Sequence, residues 1–358
     1  MKRLAPRHRR ISLALRLSRC GLAALLAFAS MAAPCRQSTV QAPQAPQALP
    51  ALPERGYVWT PQLSPQGPVT ILVSLRDQRA YVYRNGVRIG ISKVSTGKAG
   101  YETPTGVFTI LDKRREHFSN LYDNAPMPFM QRLTWGGLAL HAGAVPEHPA
   151  SHGCVRLPYA FAEKLFEVTA RGMTVIVGDA MPAPAVVYPG LFAAPAAAPA
   201  ATAPSAAFLW APDRSLRGPM TLVLSVRDRE IVVLRNAFEI GRAPVAIDES
   251  VLQGTRVYLL LQGTGPGTSA VVPGRPALRW LSVSFDGPAA PAQPDLRQLV
   301  AAGRLRIDAE FAARVYEALA PGATLVVTDE PLRQDEAGNG TILEAEQPAS
   351  EARSLPLP

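Results

Sequence analysis

Cysteine is scarce in this chain, with three in 358 residues. Cys20 and Cys35 lie in or beside a basic and apolar N-terminal stretch, so Cys154 is alone in the part of the sequence with a globular composition. A fold held together by disulfides is therefore excluded, because it requires several paired cysteines.

Charged residues are also few, at 18% of the chain, and most of the net charge of +9 is confined to one end. Residues 1–32 contain seven lysines and arginines and no acid, which leaves a net charge of about +2 for everything that follows. A nucleic-acid-binding protein carries its basic patch on the folded domain. We therefore expect no nucleic-acid partner, although the sequence pI is about 9.8.

Long apolar runs are absent as well. The run Gly21–Phe28 follows the basic residues and precedes small ones, which is the pattern of a secretory signal peptide, and it is too short to span a bilayer. We predict that residues 1–32 are a signal peptide and that the protein is exported to the periplasm. Cleavage just before Cys35, which would give a lipoprotein, is less favoured because Pro34 precedes it. Since exported proteins normally pair their cysteines, Cys154 is a candidate reactive thiol.

Composition divides the rest of the chain. We predict a Pro/Ala/Gln-rich linker at 33–55, an Ala/Pro-rich linker at 182–206 and a disordered tail at 331–358. Two globular segments remain, 56–181 and 207–330.

These two segments repeat each other at a constant offset of 151 residues. The matching pairs are Trp59 and Trp210, Gly67 and Gly218, Arg76 and Arg227, Arg84 and Arg235, and Gly90 and Gly241. A repeat this long predicts tandem domains, not a solenoid of short repeats.

Each segment has the pattern of a mostly β domain. Runs of β-forming residues at 69–75 and 79–84 lead into Asn85-Gly86, a strong two-residue hairpin turn. One helix is predicted, beginning at Pro158 and ending near Gly172.

The residues that carry chemistry lie in one segment, 138–157. His141 follows a short apolar strand, and the sequence then reads Ser151-His152-Gly153-Cys154. Here the chain resembles the L,D-transpeptidase catalytic domain of the YkuD type, in which a histidine at a strand end precedes Ser/Thr-His-Gly-Cys. The resemblance covers 56–181, and it departs from the family where Arg156 replaces an asparagine.

The resemblance implies a mostly β fold, a YkuD-like β-sandwich with a short helix, and an enzyme of peptidoglycan and cell-wall biogenesis that uses no cofactor. The Cys154 thiolate would form an acyl-enzyme with a stem tetrapeptide, release D-Ala and transfer the acyl group to an amine. The acceptor stays open between a second stem, giving a 3→3 cross-link, a D-amino acid, water, and a lysine of an outer-membrane protein. Oligomeric state stays open too.

Elementary chemistry supports the same roles. An ordinary thiol has a pKa of about 8.5, so we expect a His141 imidazolium to hold Cys154 as a thiolate and then to transfer its proton. The resemblance implies that the carbonyl of Ala142 or Gly143 fixes the imidazole tautomer. Amides around Gly153 and Cys154 are expected to stabilise the oxyanion.

Other residues near the motif have supporting or ambiguous roles. Ser151 and His152 are expected to support the nucleophile loop. Arg156, Tyr122 and Met130 are candidate substrate-binding residues; for Arg156 a surface ion pair is equally compatible, and tyrosine and methionine are more often part of a core.

The sequence also bears on three other kinds of function. A zinc site is not expected, because Pro149 and Gly153 prevent the helix that His148 and His152 would need. The alternative to an enzyme is a non-catalytic protein that binds cell-wall peptides, and a carbapenem adduct on Cys154 would separate the two. A papain-like protease is excluded, because the sequence around the cysteine and the distant histidine of that family are missing.

The second segment lacks the reactive residues. At an offset of 150, the motif at 151–154 falls on Ala301-Ala302-Gly303-Arg304, and a match of Trp135–His141 with Trp280–Asp286 would replace the histidine by an aspartate. We predict that 207–330 is a catalytically degenerate copy that binds wall peptide, docks on the first domain or positions an acceptor.

Overall fold

The computed structural model describes residues 52–54, 56–119, 124–179, 185–187, 207–236, 238–247, 254–284 and 296–332. All of them fall within one compact unit, Pro46–Pro358. The predicted signal peptide and nearly all of the predicted linkers and tail lie outside the described residues. Within the second predicted linker, Ala185–Val187 forms a short strand.

Six strands of the first half form one sheet, as their β-branched and aromatic residues favour. They are β1 (Tyr57–Trp59), β2 (Val69–Ser74), β3 (Arg79–Arg84), β4 (Val87–Lys93), β5 (Gly106–Thr109) and β10 (Thr174–Gly178), in the order β1-β4-β3-β2-β10-β5. The turn between β3 and β4 is the predicted Asn85-Gly86, with φ angles of 48° and 82° that suit such a hairpin. A 3-10 helix, Pro61–Leu63, follows β1.

A smaller sheet of four strands carries the motif residues. Its strands are β6 (Asp112–Arg114), β7 (Met130–Arg132), β8 (Ala139–Ala142) and β9 (Val155–Leu157), in that order, and only β8 and β9 are parallel. Helix α1, Tyr159–Val168, starts directly after Pro158. It ends at Val168, earlier than predicted, where the backbone of Thr169 becomes extended (φ −97°, ψ 160°), and Gly172 (φ 85°) lies in the turn before β10.

The small sheet and α1 pack on one face of the large sheet. Phe161 and Leu165 of α1, Leu140 and Val155 of the small sheet, and Val73 of the large sheet belong to one buried apolar cluster. Burying an apolar side chain of this kind stabilises the fold by about 1.5–3 kcal/mol. The strands that carry the motif are therefore anchored by a core on one side and free to present residues on the other.

The second half forms another large sheet. Its strands are β11 (Ala185–Val187), β12 (Leu209–Trp210), β13 (Met220–Ser225), β14 (Glu230–Arg235), β15 (Phe238–Ile247), β16 (Arg256–Thr268), β17 (Pro276–Ser284), β18 (Leu305–Ile307) and β19 (Thr324–Thr328). They follow the order β11-β17-β16-β19-β13-β14-β15-β12, and β18 pairs with β15. The helices are α2 (Leu296–Ala301), α3 (Ala309–Ala318) and the 3-10 helix Pro212–Arg214. Among the described residues, none of the helices has the length and hydrophobicity needed to span a membrane.

The strand order of the first large sheet recurs in the second. The run β1-β4-β3-β2-β10-β5 has a counterpart in β12-β15-β14-β13-β19-β16. The central parallel pair also has the same register, with Val175 opposite Ile71 and Leu325 opposite Leu222. The fold is mostly β, as predicted.

The halves differ beyond β5 and β16. β16 continues into a long hairpin with β17, whereas the first half continues into the small sheet. The match between Trp135 and Trp280 does not hold, because Trp135 is exposed in a turn and Trp280 is buried in β17. Asp286 lies outside the described residues.

The outer faces of the two large sheets pack against each other. One buried cluster includes Leu72, Tyr81, Ile91, Val107 and Ile176 from the first sheet and Val223, Val257, Leu259, Leu281 and Val326 from the second. The hydroxyls of Thr174 on β10 and Thr324 on β19 share a hydrogen bond of 2.7 Å across this contact. Each large sheet is thus apolar on both faces and is covered on both.

Candidate active site

Strands β8 and β9 bring the two predicted catalytic residues to one face of the small sheet. His141 pairs with Arg156 in the parallel register. Cys154 directly precedes β9, and its side chain packs against Ala139, two residues before His141 on β8. Because side chains alternate along a strand, Cys154 and His141 share one face, with Cα atoms about 8 Å apart.

The imidazole of His141 is buried and held in one orientation. Its side chain is 8% exposed, and Nδ1 lies 2.8 Å from the carbonyl oxygen of Ala142. Because a carbonyl oxygen only accepts hydrogen bonds, Nδ1 carries the proton and Nε2 keeps its lone pair. Burial lowers the pKa of His141 to about 4, the Ala142 carbonyl opposes this shift, and the charge of Arg156 adds to it.

The thiol of Cys154 is partly buried among apolar side chains. It packs against Met127, Met130 and Ala139. Its Sγ donates a hydrogen bond to the carbonyl oxygen of Gly137 at 3.5 Å. Burial raises the pKa of Cys154, and the backbone amide of Ala139 and the charge of Arg156 oppose that rise.

These shifts act against a preformed ion pair. Burial disfavours the charged form of both groups, so that at neutral pH the imidazole is neutral and the thiol keeps its proton. Burial therefore opposes the thiolate–imidazolium pair that was expected from the sequence. His141, with a free lone pair on Nε2, is instead prepared to accept a proton.

The loop before Cys154 is held by the hydroxyl of Ser151. Its Oγ donates to the carbonyl of Cys154 at 2.5 Å and accepts from the N–H of Gly153 at 3.1 Å. Gly153 has a φ of 107°, which other residues rarely adopt. The Gly153 amide, expected from the sequence to be an oxyanion donor, is thus already bonded. This leaves the Cys154 amide as the candidate donor.

The two other histidines of this loop have different positions. The ring of His152 is exposed and meets Tyr101 edge-on, with 4.7 Å between centroids. His148 contributes its backbone carbonyl, which accepts a hydrogen bond of 2.9 Å from the Ser95 hydroxyl. Within the described part of the chain, no three His, Cys, Asp or Glu side chains are grouped so as to hold a metal ion.

The three predicted substrate-binding residues lie in different surroundings. Met130 is 1% exposed and packs beside the thiol, so it forms a wall under Cys154 and is not a solvent-facing contact. Arg156 is partly buried and lies next to His141. Tyr122 lies outside the described residues.

The sequence did not mark a segment, residues 95–103, that braces the nucleophile loop. The carbonyl of Thr96 accepts from the amides of Ala150 and Ser151, each at 3.0 Å, and the amide of Lys98 donates to the carbonyl of Ser151 at 3.0 Å. The buried Thr103 hydroxyl donates to the carbonyl of Gly153 at 2.6 Å. The only local signal for this contact was a polar residue inside an extended stretch.

The comparisons with known proteins agree with the motif. The family model of the L,D-transpeptidase catalytic domain, YkuD, matches residues 68–177. Three similar solved structures are an L,D-transpeptidase (Yku) from Stackebrandtia nassauensis (34% identity, TM-score 0.29), one from Mycobacterium smegmatis (24%, 0.30) and one from Mycobacterium tuberculosis H37Rv (26%, 0.30).

These structural matches are partial. They cover 31% of this chain and 55%, 58% and 57% of the three solved chains, so this chain spans little more than half of their length. No curated protein matches the chain. The family match is thus confined to residues 68–177, which correspond to the YkuD L,D-transpeptidase catalytic domain.

Proposed function

We propose that this domain is a peptidoglycan L,D-transpeptidase whose nucleophile is Cys154 and whose general base is His141. The observation that supports the proposal is the position of Cys154 directly before β9, with its thiol against Ala139 of β8, the strand that carries His141. The match of residues 68–177 to the L,D-transpeptidase catalytic family names the reaction class.

The reaction starts from two neutral groups. Nε2 of His141 accepts the thiol proton while Sγ attacks the carbonyl carbon between the third and fourth residues of a stem tetrapeptide. The S–C bond forms, and the carbonyl π electrons move onto the oxygen, where the Cys154 amide N–H stabilises the charge. The C–N bond then breaks, and His141 returns its proton to the departing amine of D-Ala, which leaves a thioester.

The second half-reaction reverses these roles. An amine acceptor attacks the thioester carbonyl, and His141 takes the proton from its nitrogen. The S–C bond breaks, and the thiolate of Cys154 regains a proton from His141. The same site therefore serves a second stem, giving a 3→3 cross-link, or a free D-amino acid.

The proposal extends to the second half of the chain, 207–330, as a degenerate copy that docks on the catalytic domain. The recurring strand order supports the duplication, and Arg304 in place of Cys154 supports the loss of catalysis. The shared apolar cluster between the large sheets supports docking. On this proposal the second half covers the outer face of the first sheet.

The location is part of the proposal as well. Residues 1–32 act as a signal peptide and export the chain to the periplasm, where stem peptides occur. N-terminal sequencing of the protein recovered from the periplasm tests this, because the mature chain would start after residue 32. A mature chain that starts at Cys35 and carries lipid would contradict that cleavage site.

The test of the activity is product analysis by liquid chromatography and mass spectrometry. Wild type and Cys154→Ala are each incubated with disaccharide tetrapeptides, with and without a free D-amino acid. Release of D-Ala with a cross-linked or exchanged product, in wild type only, supports the enzyme and identifies its acceptor. Turnover in Cys154→Ala would contradict the degeneracy of the second half. No turnover by wild type would favour a non-catalytic protein that binds wall peptides.

A further inference from the structure

The side chain of Thr103 lies inside the nucleophile loop, 50 residues away from it in sequence. It is 4% exposed. Its Oγ donates to the carbonyl oxygen of Gly153 at 2.6 Å and accepts from the amide N–H of Gly97 at 2.9 Å. Both hydrogen-bonding functions of the hydroxyl are therefore used, and they tie the segment 95–103 to the residue before the nucleophile.

The Gly153 carbonyl and the Cys154 N–H belong to the same peptide group. In a planar trans peptide, the C=O and N–H bonds point in opposite directions. By fixing the Gly153 carbonyl on one side, Thr103 also fixes the direction of the Cys154 N–H, which points away from Thr103.

Two neighbouring backbone groups of this turn are already engaged. The Gly153 N–H donates to Ser151 Oγ, and the same hydroxyl donates to the Cys154 carbonyl. The Cys154 amide forms no backbone hydrogen bond to any described residue. An amide left in this way beside a nucleophile is the group that stabilises charge developing on a substrate carbonyl oxygen.

We propose that Thr103 is a positioning residue for acyl transfer, which aims the Cys154 N–H at the oxyanion through the Gly153 carbonyl. This inference rests on the proposed function, since an oxyanion forms only when the thiol attacks a carbonyl. Gly153, with φ at 107° and no side chain, adds no steric restraint of its own to the rotation of this peptide, so hydrogen bonds such as that of Thr103 hold its direction.

Two reactions of the Cys154 thiol distinguish a loss of oxyanion stabilisation from a general disruption of the site. Acylation by imipenem opens a β-lactam through a tetrahedral oxyanion. Alkylation by iodoacetamide displaces iodide at a saturated carbon, so it needs the sulfur to lose its proton but needs no oxyanion donor. Rates of both at Cys154 are measured on the full mature chain by mass spectrometry of its proteolytic peptides, which separates Cys154 from Cys35.

The variants are Thr103→Val, which keeps the shape and removes the hydroxyl, and Thr103→Ser, which keeps the hydroxyl. Thr105→Val is the matched control, because it makes the same change at an exposed position two residues on. We expect Thr103→Val to slow imipenem acylation by about 10- to 100-fold and to leave the alkylation rate within about twofold. Thr103→Ser and Thr105→Val should both remain near wild type.

Results that differ from these would contradict either the positioning role of Thr103 or the proposed transpeptidase function. Equal acylation rates for Thr103→Val and wild type would overturn the positioning role, and so would parallel losses in acylation and alkylation. If Thr103→Val does not fold, by circular dichroism, Thr103→Ala is measured in the same way with the same expectation. Failure of wild type to react with imipenem, while iodoacetamide still labels Cys154, would overturn the proposed function itself.

Discussion

The buried imidazole of His141 should make the stability of the protein depend on pH in a defined window. In an unfolded chain a histidine takes up its proton near pH 6.5, whereas burial lowers the pKa of His141 in the folded protein to about 4. Between these values the unfolded state binds more protons than the folded state, so stability falls as the pH is lowered from 6.5 to about 4. Above pH 6.5 this contribution is constant.

The size of the effect follows from the two pKa values. A displacement from 6.5 to about 4 corresponds to about 3 kcal/mol of unfolding free energy at a pH below both. The side chain is only 8% exposed, so solvent screens the effect little. His117 also has a pKa lowered by burial, and any wild-type curve contains its contribution as well.

The assay is urea unfolding at several pH values for wild type and His141→Asn. Asparagine places an amide nitrogen near the position of Nδ1, so it retains a donor for the Ala142 carbonyl but cannot titrate. We expect wild type to lose about 3 kcal/mol more than His141→Asn between pH 6.5 and 4. His152→Asn removes an exposed histidine and serves as the control, expected to follow wild type. Parallel curves for wild type and His141→Asn would refute the reasoning, as would a His141 NMR titration with a midpoint near 6.5.

Three further predictions concern the loop, the contact between the sheets and a helix cap. Ser151→Ala should destabilise the protein by about 2 kcal/mol and slow imipenem acylation at least about tenfold, because two backbone groups lose their partner; unchanged kinetics would contradict this. Val326→Asp, at 0% exposure, should cost about 3 kcal/mol or more in urea unfolding by burying a carboxylate between the sheets, whereas Val87→Asp, at 42% exposure, should be nearly neutral. Asp308→Ala removes the 2.9 Å cap bond to the Phe311 amide and should lower stability by about 1 kcal/mol without altering acylation, because this cap lies outside the catalytic half; a slower acylation would contradict this.

Much of the fold and the motif could be predicted, because their signals are local. Asn85-Gly86 defines a hairpin by its own backbone preferences, and the structure has that turn. The strand order within each half, by contrast, depends on pairing between distant segments. Ala185–Val187 also depends on distant pairing. Its Ala/Pro-rich surroundings predicted a linker, and these three residues form a strand because they pair with β17.

In the candidate site, too, local features could be predicted from the sequence and features that depend on tertiary structure could not. The candidate nucleophile and base could be named from the sequence, because the residue types and their spacing are characteristic. The charge state could not, since it depends on burial, which lowers one pKa and raises the other. Thr103 could not be found either, because tertiary folding alone brings it to Gly153.

The most direct measurement is the mass of the acyl-enzyme. Wild type and Cys154→Ala are mixed with a stem tetrapeptide without an amine acceptor, quenched in acid and analysed as intact proteins, and the labelled peptide is then sequenced. We predict an added mass equal to the tetrapeptide less D-Ala, located on Cys154 and absent from the variant. An adduct on another residue, or none while the tetrapeptide is consumed, would contradict catalysis by the Cys154 thiol.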